Sequence, residues 1–132
     1  QKGGKAIVTD VLKYGDKAVA PGLNLLSAPG NDLVASTALA LSGCQLVLFT
    51  TGRGTPFGTF VPTMKISTNT ALAEKKRSWI DFNAGSIVTG EPAVSALQRL
   101  IDKVAATVNG DQLLHELHDA KEIAIFKSGV TL

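Results

Sequence analysis

The chain has 132 residues, of which 45% are hydrophobic and 18% are charged, so it is long enough for one domain with a substantial core. Its 13 Lys and Arg residues are balanced by 11 Asp and Glu residues, and they are not interleaved with aromatic residues, which argues against nucleic acid as a partner. No apolar stretch is long enough to span a membrane, and the single cysteine, Cys44, excludes an internal disulfide and favours a reducing, cytoplasmic compartment.

The chain begins with a short polar stretch that contains two glycines. Residues 1–5 lack the apolar segment of a signal peptide, and we interpret them as the remnant of a linker. We therefore expect residues 1–132 to be a single α/β domain taken from a longer protein.

Apolar and β-branched runs alternate with Ala- and Leu-rich runs, which indicates alternating strands and helices. In chain order the predicted elements are strands at residues 6–12 and 23–27, a helix at 33–41, strands at 46–49 and 61–67, a helix at 71–76, a strand at 79–82, helices at 92–108 and 112–117, and a strand or extended arm at 123–126. Asn31 or Asp32 can cap the first helix and Gly43 can end it, so the next strand completes a βαβ unit with parallel strands. We predict an α/β fold, a three-layer sandwich around a mostly parallel, Rossmann-like sheet of about four or five strands.

The longest predicted helix carries one apolar stripe. Its members recur at alternating spacings of three and four residues, and they are Val94, Leu97, Ile101, Val104 and Val108. Such a stripe is typical of a helix with one face against apolar surface.

Two histidines, His115 and His118, lie three residues apart on the last predicted helix. The zinc-protease motif needs a spacing of four residues with a glutamate beside the first histidine, so this pair resembles a metal site only superficially. We predict that both side chains lie on a solvent-facing side of the helix.

Polar clusters follow four of the apolar runs, at residues 27–32, 50–55, 67–69 and 81–83. The carboxyl ends of parallel strands lie on one edge of a sheet, and open α/β sheets bind their ligands at that edge. The pattern therefore predicts a site at this edge for a small anionic or polyhydroxylated ligand.

The most distinctive of these clusters is the loop of residues 50–58, in which Arg53 lies between Gly52 and Gly54. Arg53 can clamp a carboxylate or phosphate with two parallel hydrogen bonds, although a surface arginine in a turn is the simpler alternative. The loop matches neither the Walker A pattern nor the Gly-x-Gly-x-x-Gly dinucleotide pattern, which disfavours a nucleotide.

Three other polar residues each have two interpretations. Asn31 and Asp32 can bind substrate hydroxyls or a metal, or can act simply as a helix cap, and the same choice applies to Asn69. Asp81, between Ile80 and Phe82, is either a partly buried carboxylate with a chemical role or a strand-end aspartate that faces water.

Several of these segments together resemble the altronate/galactarate dehydratase family, and the altronate branch more than the galactarate branch. The resemblance rests on residues 23–32 (LNLLSAPGND), 43–45 (GCQ), 47–58 (VLFTTGRGTPFG), 60–63 (FVPT), 65–66 (KI), 68–69 (TN), 79–82 (WIDF) and 124–132 (AIFKSGVTL). It covers nearly the whole chain and is weakest at residues 87–122. Family members are much longer, so the chain looks like their C-terminal domain alone.

The resemblance implies the conversion of D-altronate to 2-keto-3-deoxy-D-gluconate and water in bacterial hexuronate breakdown. It also implies a divalent metal, usually Fe²⁺, and N-terminal domains of the same enzyme as partners. The alternatives are a domain of a galactarate or other aldarate or aldonate dehydratase, and a non-catalytic ligand-binding or assembly module. A homo-oligomer is compatible with the mildly apolar composition.

The dehydration chemistry suggests roles for the predicted site residues. A base removes the proton α to the carboxylate while negative charge builds on that carboxylate, and an acid helps the β-hydroxyl leave. Our hypothesis is that Arg53 and the loop N–H groups, with Gly52 and Gly54, hold the carboxylate. Hydroxyls would be held by Asn31, Thr50, Thr51, Thr55 and Asn69. Asp32 or Asp81 would carry a proton or ligate the metal, whose other ligands stay unassigned.

Overall fold

Helices and strands alternate along most of the chain in the computed structural model, which describes residues 3–126. The elements are β1 (Val8–Leu12), β2 (Leu23–Leu26), α1 (Asp32–Leu41), β3 (Val47–Thr51), β4 (Thr63–Ser67), α2 (Thr70–Lys75), β5 (Phe82–Asn83), a 3₁₀ turn (Gly85–Ile87), α3 (Ala93–Val108) and α4 (Leu114–Leu117). Residues 1–2 of the expected linker remnant and the tail at 127–132 lie outside the described residues.

The strands form two separate sheets, both parallel. One sheet pairs β1 with β2, and the other has the order β3-β4-β5. The α/β class and the parallel pairing are confirmed, but each sheet is smaller than the four or five strands expected. Residues 123–126 form no strand, and the predicted strand at 79–82 is shortened to Phe82–Asn83. No helix within residues 3–126 is long and apolar enough to cross a membrane.

Helix α1 lies against β3. The predicted βαβ unit is wrong, because β2 pairs with β1 in the smaller sheet and β3 pairs with β4 in the larger one. Asn31 caps it by accepting a hydrogen bond from Val34 N at 3.1 Å, which satisfies one of the N–H groups that a helix start leaves unpaired. Its buried face consists of small residues, Ser36, Thr37, Ala38 and Ala40. Such a face allows the helix backbone to approach the strand closely.

Strand β4 forms the centre of the larger sheet, and all five of its residues are buried. Met64 and Ile66 lie in one apolar cluster with Phe82 of β5 and Leu113, which precedes α4. Leu46, Ala84, Leu100 and Val104 pack around this cluster and are partly buried. The core therefore sits between the three-stranded sheet and the C-terminal helices.

The connection between β3 and β4, residues 52–62, contains neither helix nor strand. Two parallel strands need a crossover that returns the chain to the other end of the sheet, and that crossover is usually a helix. Without one, the carbonyl groups of this segment must find other donors. The side chain of Lys65 and the backbone N–H of Glu122 supply them, to Pro56, Phe57 and Gly58.

His115 ties α4 to the start of β4 and is only 1% exposed. Its Nε2 accepts a hydrogen bond from Thr63 N at 2.8 Å, so Nδ1 carries the proton and donates to the carbonyl of Ala120 at 2.9 Å. The prediction that His115 faces solvent is wrong, because α4 packs its imidazole inward as the partner of a buried N–H group. His118 is exposed, as predicted.

Helix α3 packs on the core through one margin of the predicted stripe and the helix side next to it. Ala96 and Thr107 are its buried residues, and Leu100 and Val104 contact the apolar cluster. The other four stripe residues are exposed, namely Val94, Leu97, Ile101 and Val108. A stripe in the sequence shows which positions of a helix are apolar, but it does not show which element those positions pack against.

A polar cluster fastens α3 to the end of β5. Arg99 bonds both carboxylate oxygens of Glu91 at 2.8 and 2.7 Å and lies 4.8 Å from the ring centre of Phe82. Ser86 also donates to Glu91. The hydrogen bonds from Arg99 and Ser86 lower the pKa of Glu91 to about 2, and the same pairing raises the pKa of Arg99.

Gly58 should not tolerate even one added methyl group. A Cβ atom at this position would overlap the imidazole of His115 and lie 2.6 Å from the carbonyl oxygen of Ala120. We expect Gly58→Ala to lower the free energy of unfolding by about 1–3 kcal/mol, as overpacking of a rigid core does. Urea denaturation checks this. Gly30→Ala, where the added Cβ has no neighbour within 4 Å, is the control and should change stability little.

The Glu91 carboxylate should contribute stability that is lost in acid. Its folded pKa lies below its ordinary value of 4.5, so the contribution is complete above pH 4.5 and disappears as the pH falls through about 2. The melting temperature of the wild type should therefore fall more steeply with decreasing pH than that of Glu91→Gln, between pH 4.5 and about 2. Glu74→Gln removes an exposed carboxylate whose side chain makes no bond within residues 3–126, and it should keep the wild-type slope. Equal slopes for the wild type and Glu91→Gln would contradict the assignment.

Candidate functional site

The carboxyl ends of β3, β4 and β5 lie side by side, as the sequence predicted. Thr51 of β3 is in register with Ser67 of β4, which is in register with Asn83 of β5. The N-termini of α1 and α2 reach the same edge, because α1 packs beside β3 and α2 follows β4 directly. Polar backbone and side-chain groups from five elements therefore meet at one edge of the sheet.

A cavity of about 320 Å³ opens between the start of α1 and β3. Asn31, Asp32 and Thr50 are polar residues of its lining, and Leu39 and Phe49 are apolar ones. This volume is at the lower end of the range for small-molecule sites. Three of the predicted site residues thus line one concave surface.

The first half of the loop is held by side chains at its own base. Thr51 Oγ1 accepts hydrogen bonds from Gly54 N at 2.9 Å and Arg53 N at 3.3 Å. Asn69 Nδ2 donates to the carbonyl of Gly52 at 3.2 Å. Hydrogen bonds therefore join five predicted residues into one cluster, namely Thr51, Gly52, Arg53, Gly54 and Asn69. The cluster lies next to the cavity, because Thr51 directly follows Thr50 of the cavity lining.

Arg53 lies at the exposed turn of this cluster. Its backbone is fixed by Thr51, while its side chain is exposed and makes no hydrogen bond or ion pair within residues 3–126. Gly54 adopts φ 80°, where a side chain is strained, and an added Cβ would lie 3.0 Å from Leu72. The geometry leaves the guanidinium available to an anion, as the bidentate hypothesis requires. Thr55 is half-buried and follows in the same loop.

The two capping asparagines differ in what their amides do. Asn69 uses Oδ1 to accept from Leu72 N at 2.8 Å and Nδ2 to hold Gly52, so its bonds are accounted for structurally. Asn31 uses Oδ1 for its cap, while its Nδ2 has no acceptor within residues 3–126 and the residue lines the cavity. Asn31 is therefore the better placed of the two to bind a ligand oxygen.

Asp81 is not part of the cavity or of the loop cluster. Its Oδ2 accepts from Lys65 N at 2.8 Å and its Oδ1 from Leu114 N at 2.9 Å. Both oxygens thus serve to join β4 to the start of α4. A catalytic role for Asp81 stays a prediction, and these contacts give the carboxylate a structural one.

Lys65 is the site-related residue that the sequence reasoning passed over. It is 1% exposed, and its Nζ donates to the carbonyls of Phe57 at 2.8 Å and Pro56 at 3.3 Å. Burial lowers the pKa of its ammonium, and the charges of Asp81 and Glu122 partly offset that effect. Lys65 thereby anchors the second half of the loop, just as Thr51 and Asn69 anchor the first. A lysine between Met64 and Ile66 in an apolar strand was the available signal.

The described residues do not supply a metal site by themselves. No group of three or more His, Cys, Asp or Glu side chains able to hold a metal ion occurs within residues 3–126. At the cavity, Asp32 is the one carboxylate of the lining, and Fe²⁺ sites in proteins use several imidazole or carboxylate ligands. The described donor set therefore does not fit a resident iron.

Comparison with known proteins gives one consistent result. A family described as D-galactarate/altronate dehydratase, C-terminal, matches residues 1–131. Altronate dehydratase of Escherichia coli (strain K12) is 57% identical over 132 residues, which is all of this chain and 27% of that protein. Altronate dehydratase of Bacillus subtilis (strain 168) is 59% identical over 133 residues, with the same shares. Galactarate dehydratase (L-threo-forming) of Escherichia coli is 40% identical over 94 residues, or 70% of this chain and 18% of that protein.

Removing the Lys65 ammonium should loosen the loop and destabilise the fold. Lys65→Met keeps most of the volume but leaves two carbonyls without their donor, and each unsatisfied buried group costs about 1–3 kcal/mol. We expect a loss of that order in urea denaturation, with faster amide exchange at residues 54–58. Lys75→Met, at an exposed position of α2, is the matched control and should change stability by less than about 0.5 kcal/mol. If Lys65→Met is as stable as the wild type, the Lys65 ammonium does not anchor the loop.

Proposed function

Since the chain belongs to the D-galactarate/altronate dehydratase family, we propose that it serves as the C-terminal domain of a dehydratase that converts D-altronate to 2-keto-3-deoxy-D-gluconate and water. The chain spans 27% of the length of its altronate dehydratase relatives, so the proposal concerns a domain of a longer enzyme. Identity of 57–59% over the whole chain to two altronate dehydratases carries the choice of substrate. The galactarate dehydratase is 40% identical over 70% of the chain, which makes an aldarate substrate the second candidate.

The geometry at the sheet edge supports a domain that binds the sugar acid. A hexonate carries one carboxylate and a row of hydroxyl groups, and these two features need different partners. In our proposal the carboxylate is held by the Arg53 guanidinium, since the N–H groups of Arg53 and Gly54 already donate to Thr51. The hydroxyls lie in the neighbouring cavity and bond to Asn31, Asp32 and Thr50, which line it.

This division suits the chemical demand of the reaction. As the α-proton leaves, negative charge grows on the carboxylate, so donors fixed at that position stabilise the transition state more than the ground state. The loop is suited to hold such donors because it is anchored at both ends, by Thr51 and Asn69 on one side and Lys65 on the other. The fixed loop backbone keeps the Arg53 side chain beside the cavity while charge develops.

The base that removes the α-proton is not assigned to this chain. His115, Asp81 and Lys65 all have their polar atoms engaged in the core, and Asp32 is the one carboxylate at the cavity. We propose that Asp32 orients a substrate hydroxyl and that the base comes from the rest of the enzyme. If Fe²⁺ takes part, as the family resemblance suggested, the rest of the enzyme would also provide most of its ligands.

The Arg53 assignment predicts a specific kinetic defect in the complete enzyme that contains this chain. Arg53→Ala removes two charge-assisted hydrogen bonds to the carboxylate, each worth about 1.5–3 kcal/mol, so kcat/KM on D-altronate should fall by at least about 100-fold. Steady-state assays with D-altronate and galactarate, with and without Fe²⁺, measure this and also test the choice of substrate.

Two comparisons keep that result interpretable. Arg77→Ala removes another exposed arginine, and it should leave kcat/KM unchanged. Arg53→Lys keeps the charge but loses the bidentate geometry, so it should recover only part of the activity. If Arg53→Ala turns over D-altronate at the wild-type rate, Arg53 has no role in the mechanism. If the wild-type enzyme prefers galactarate, galactarate and not D-altronate is the substrate.

A further inference from the structure

Helix α3 has an apolar surface that does not face the core of this domain. Four aliphatic side chains on one side of it are at least half exposed, namely Val94, Leu97, Ile101 and Val108, at 79%, 55%, 51% and 73%. We call these four side chains the α3 strip. Nothing within residues 3–126 covers them.

The strip continues an apolar arc of the helix whose other margin packs on the core. At about 100° per residue, its four members fall within roughly 60° of arc around the helix axis. The centre of that arc lies roughly 120° from the buried residues Ala96 and Thr107. Leu100 and Val104, which pack against the core, lie between these two groups. One broad apolar arc therefore has one margin against the core and its other margin unoccupied by this domain.

The order of residues in the strip indicates what kind of element it fits. With the partly buried Val104 included, the spacing alternates between three and four, which is the seam of a helix pair. Val94, Ile101 and Val108 are β-branched residues at one seam position, and Leu97 and the partly buried Val104 occupy the other. Such an arrangement favours packing against a single second helix.

We propose that the α3 strip docks an amphipathic helix from the remainder of the dehydratase polypeptide. This rests on the proposed place of the chain within a longer enzyme, and it is independent of the reaction. The matched part is 27% of each altronate dehydratase relative, so nearly three quarters of those chains lies outside it and can provide the helix.

The size of the strip favours a tethered helix over a second copy of the chain. Its exposed area is on the order of 400 Å², which is the size of the largest apolar patch on a typical monomer, a patch that is often functional. Specific complexes between separate proteins bury about 800 Å² per partner, so the strip alone is too small to hold two free chains together. A helix on the same polypeptide needs less area, because tethering gives it an effective concentration in the millimolar range.

Amide exchange in the complete polypeptide tests the proposal, with Val94→Gln and Ser95→Gln as a matched pair. The two positions are adjacent on α3 and receive the same residue, but only Val94 belongs to the strip. Gln is a better helix former than Val, so an uncovered strip predicts unchanged or slower exchange along α3 in Val94→Gln. A covered strip predicts the opposite sign, about tenfold faster exchange, because a polar group enters an apolar contact.

We expect α3 of the wild type to be protected, Ser95→Gln to match it, and Val94→Gln to exchange about tenfold faster at every protein concentration. Unchanged or slower exchange in Val94→Gln overturns the proposal. Faster exchange that depends on protein concentration, together with a lower mass in sedimentation, also overturns it and assigns the strip to a second copy. Activity on D-altronate is not a readout, so a wrong substrate assignment cannot imitate either result.

Discussion

Parallel pairing of β3 and β4 obliges the chain to return from one end of the sheet to the other, and here it returns without a helix. An irregular crossover does not satisfy its own carbonyl groups, so the surrounding structure has to do so. Lys65 reaches two of them from the middle of β4, and Glu122 reaches a third from the C-terminal segment. The position of the crossover, and of the turn that carries Arg53, depends on these bonds.

Hydrogen bonds from buried side chains to backbone groups also join the C-terminal segment to the sheet. Asp81 uses both carboxylate oxygens to connect β4 with the start of α4, and His115 uses both ring nitrogens to connect Thr63 with Ala120. In the sequence, Asp81 was a candidate for a chemical role and His115 was predicted to face solvent. Each is engaged because a short strand or a short helix leaves backbone groups that only a side chain can reach. In this fold the buried polar side chains hold the segments around the sheet edge in place, and Arg53 and Asn31 at that edge keep side-chain donors without an acceptor within residues 3–126.

Two surfaces of the domain expose apolar side chains that folded domains usually cover. The small β1–β2 sheet and the α3 strip both expose apolar side chains, among them Val11 at 67% and Val94 at 79%. A parallel sheet is normally covered on both faces, and an apolar helix side is normally packed. The interior-like character of these surfaces agrees with a domain whose relatives carry most of their length elsewhere.

Local patterns in the sequence determined the elements, the parallel α/β class and the polar edge of the larger sheet. Asn31 and Asn69 cap the helices they were expected to cap, and Thr50, Asn31 and Asp32 meet at one cavity. These features follow from neighbours within a few residues and from the rule that parallel strands end on one edge. The division into two sheets, the side of α3 that packs inward and the burial of Lys65 and His115 were decided only by the tertiary structure. Each of them depends on partners far away in the chain, such as Thr63 for His115, 52 positions apart, and no local pattern specifies which distant group will be there.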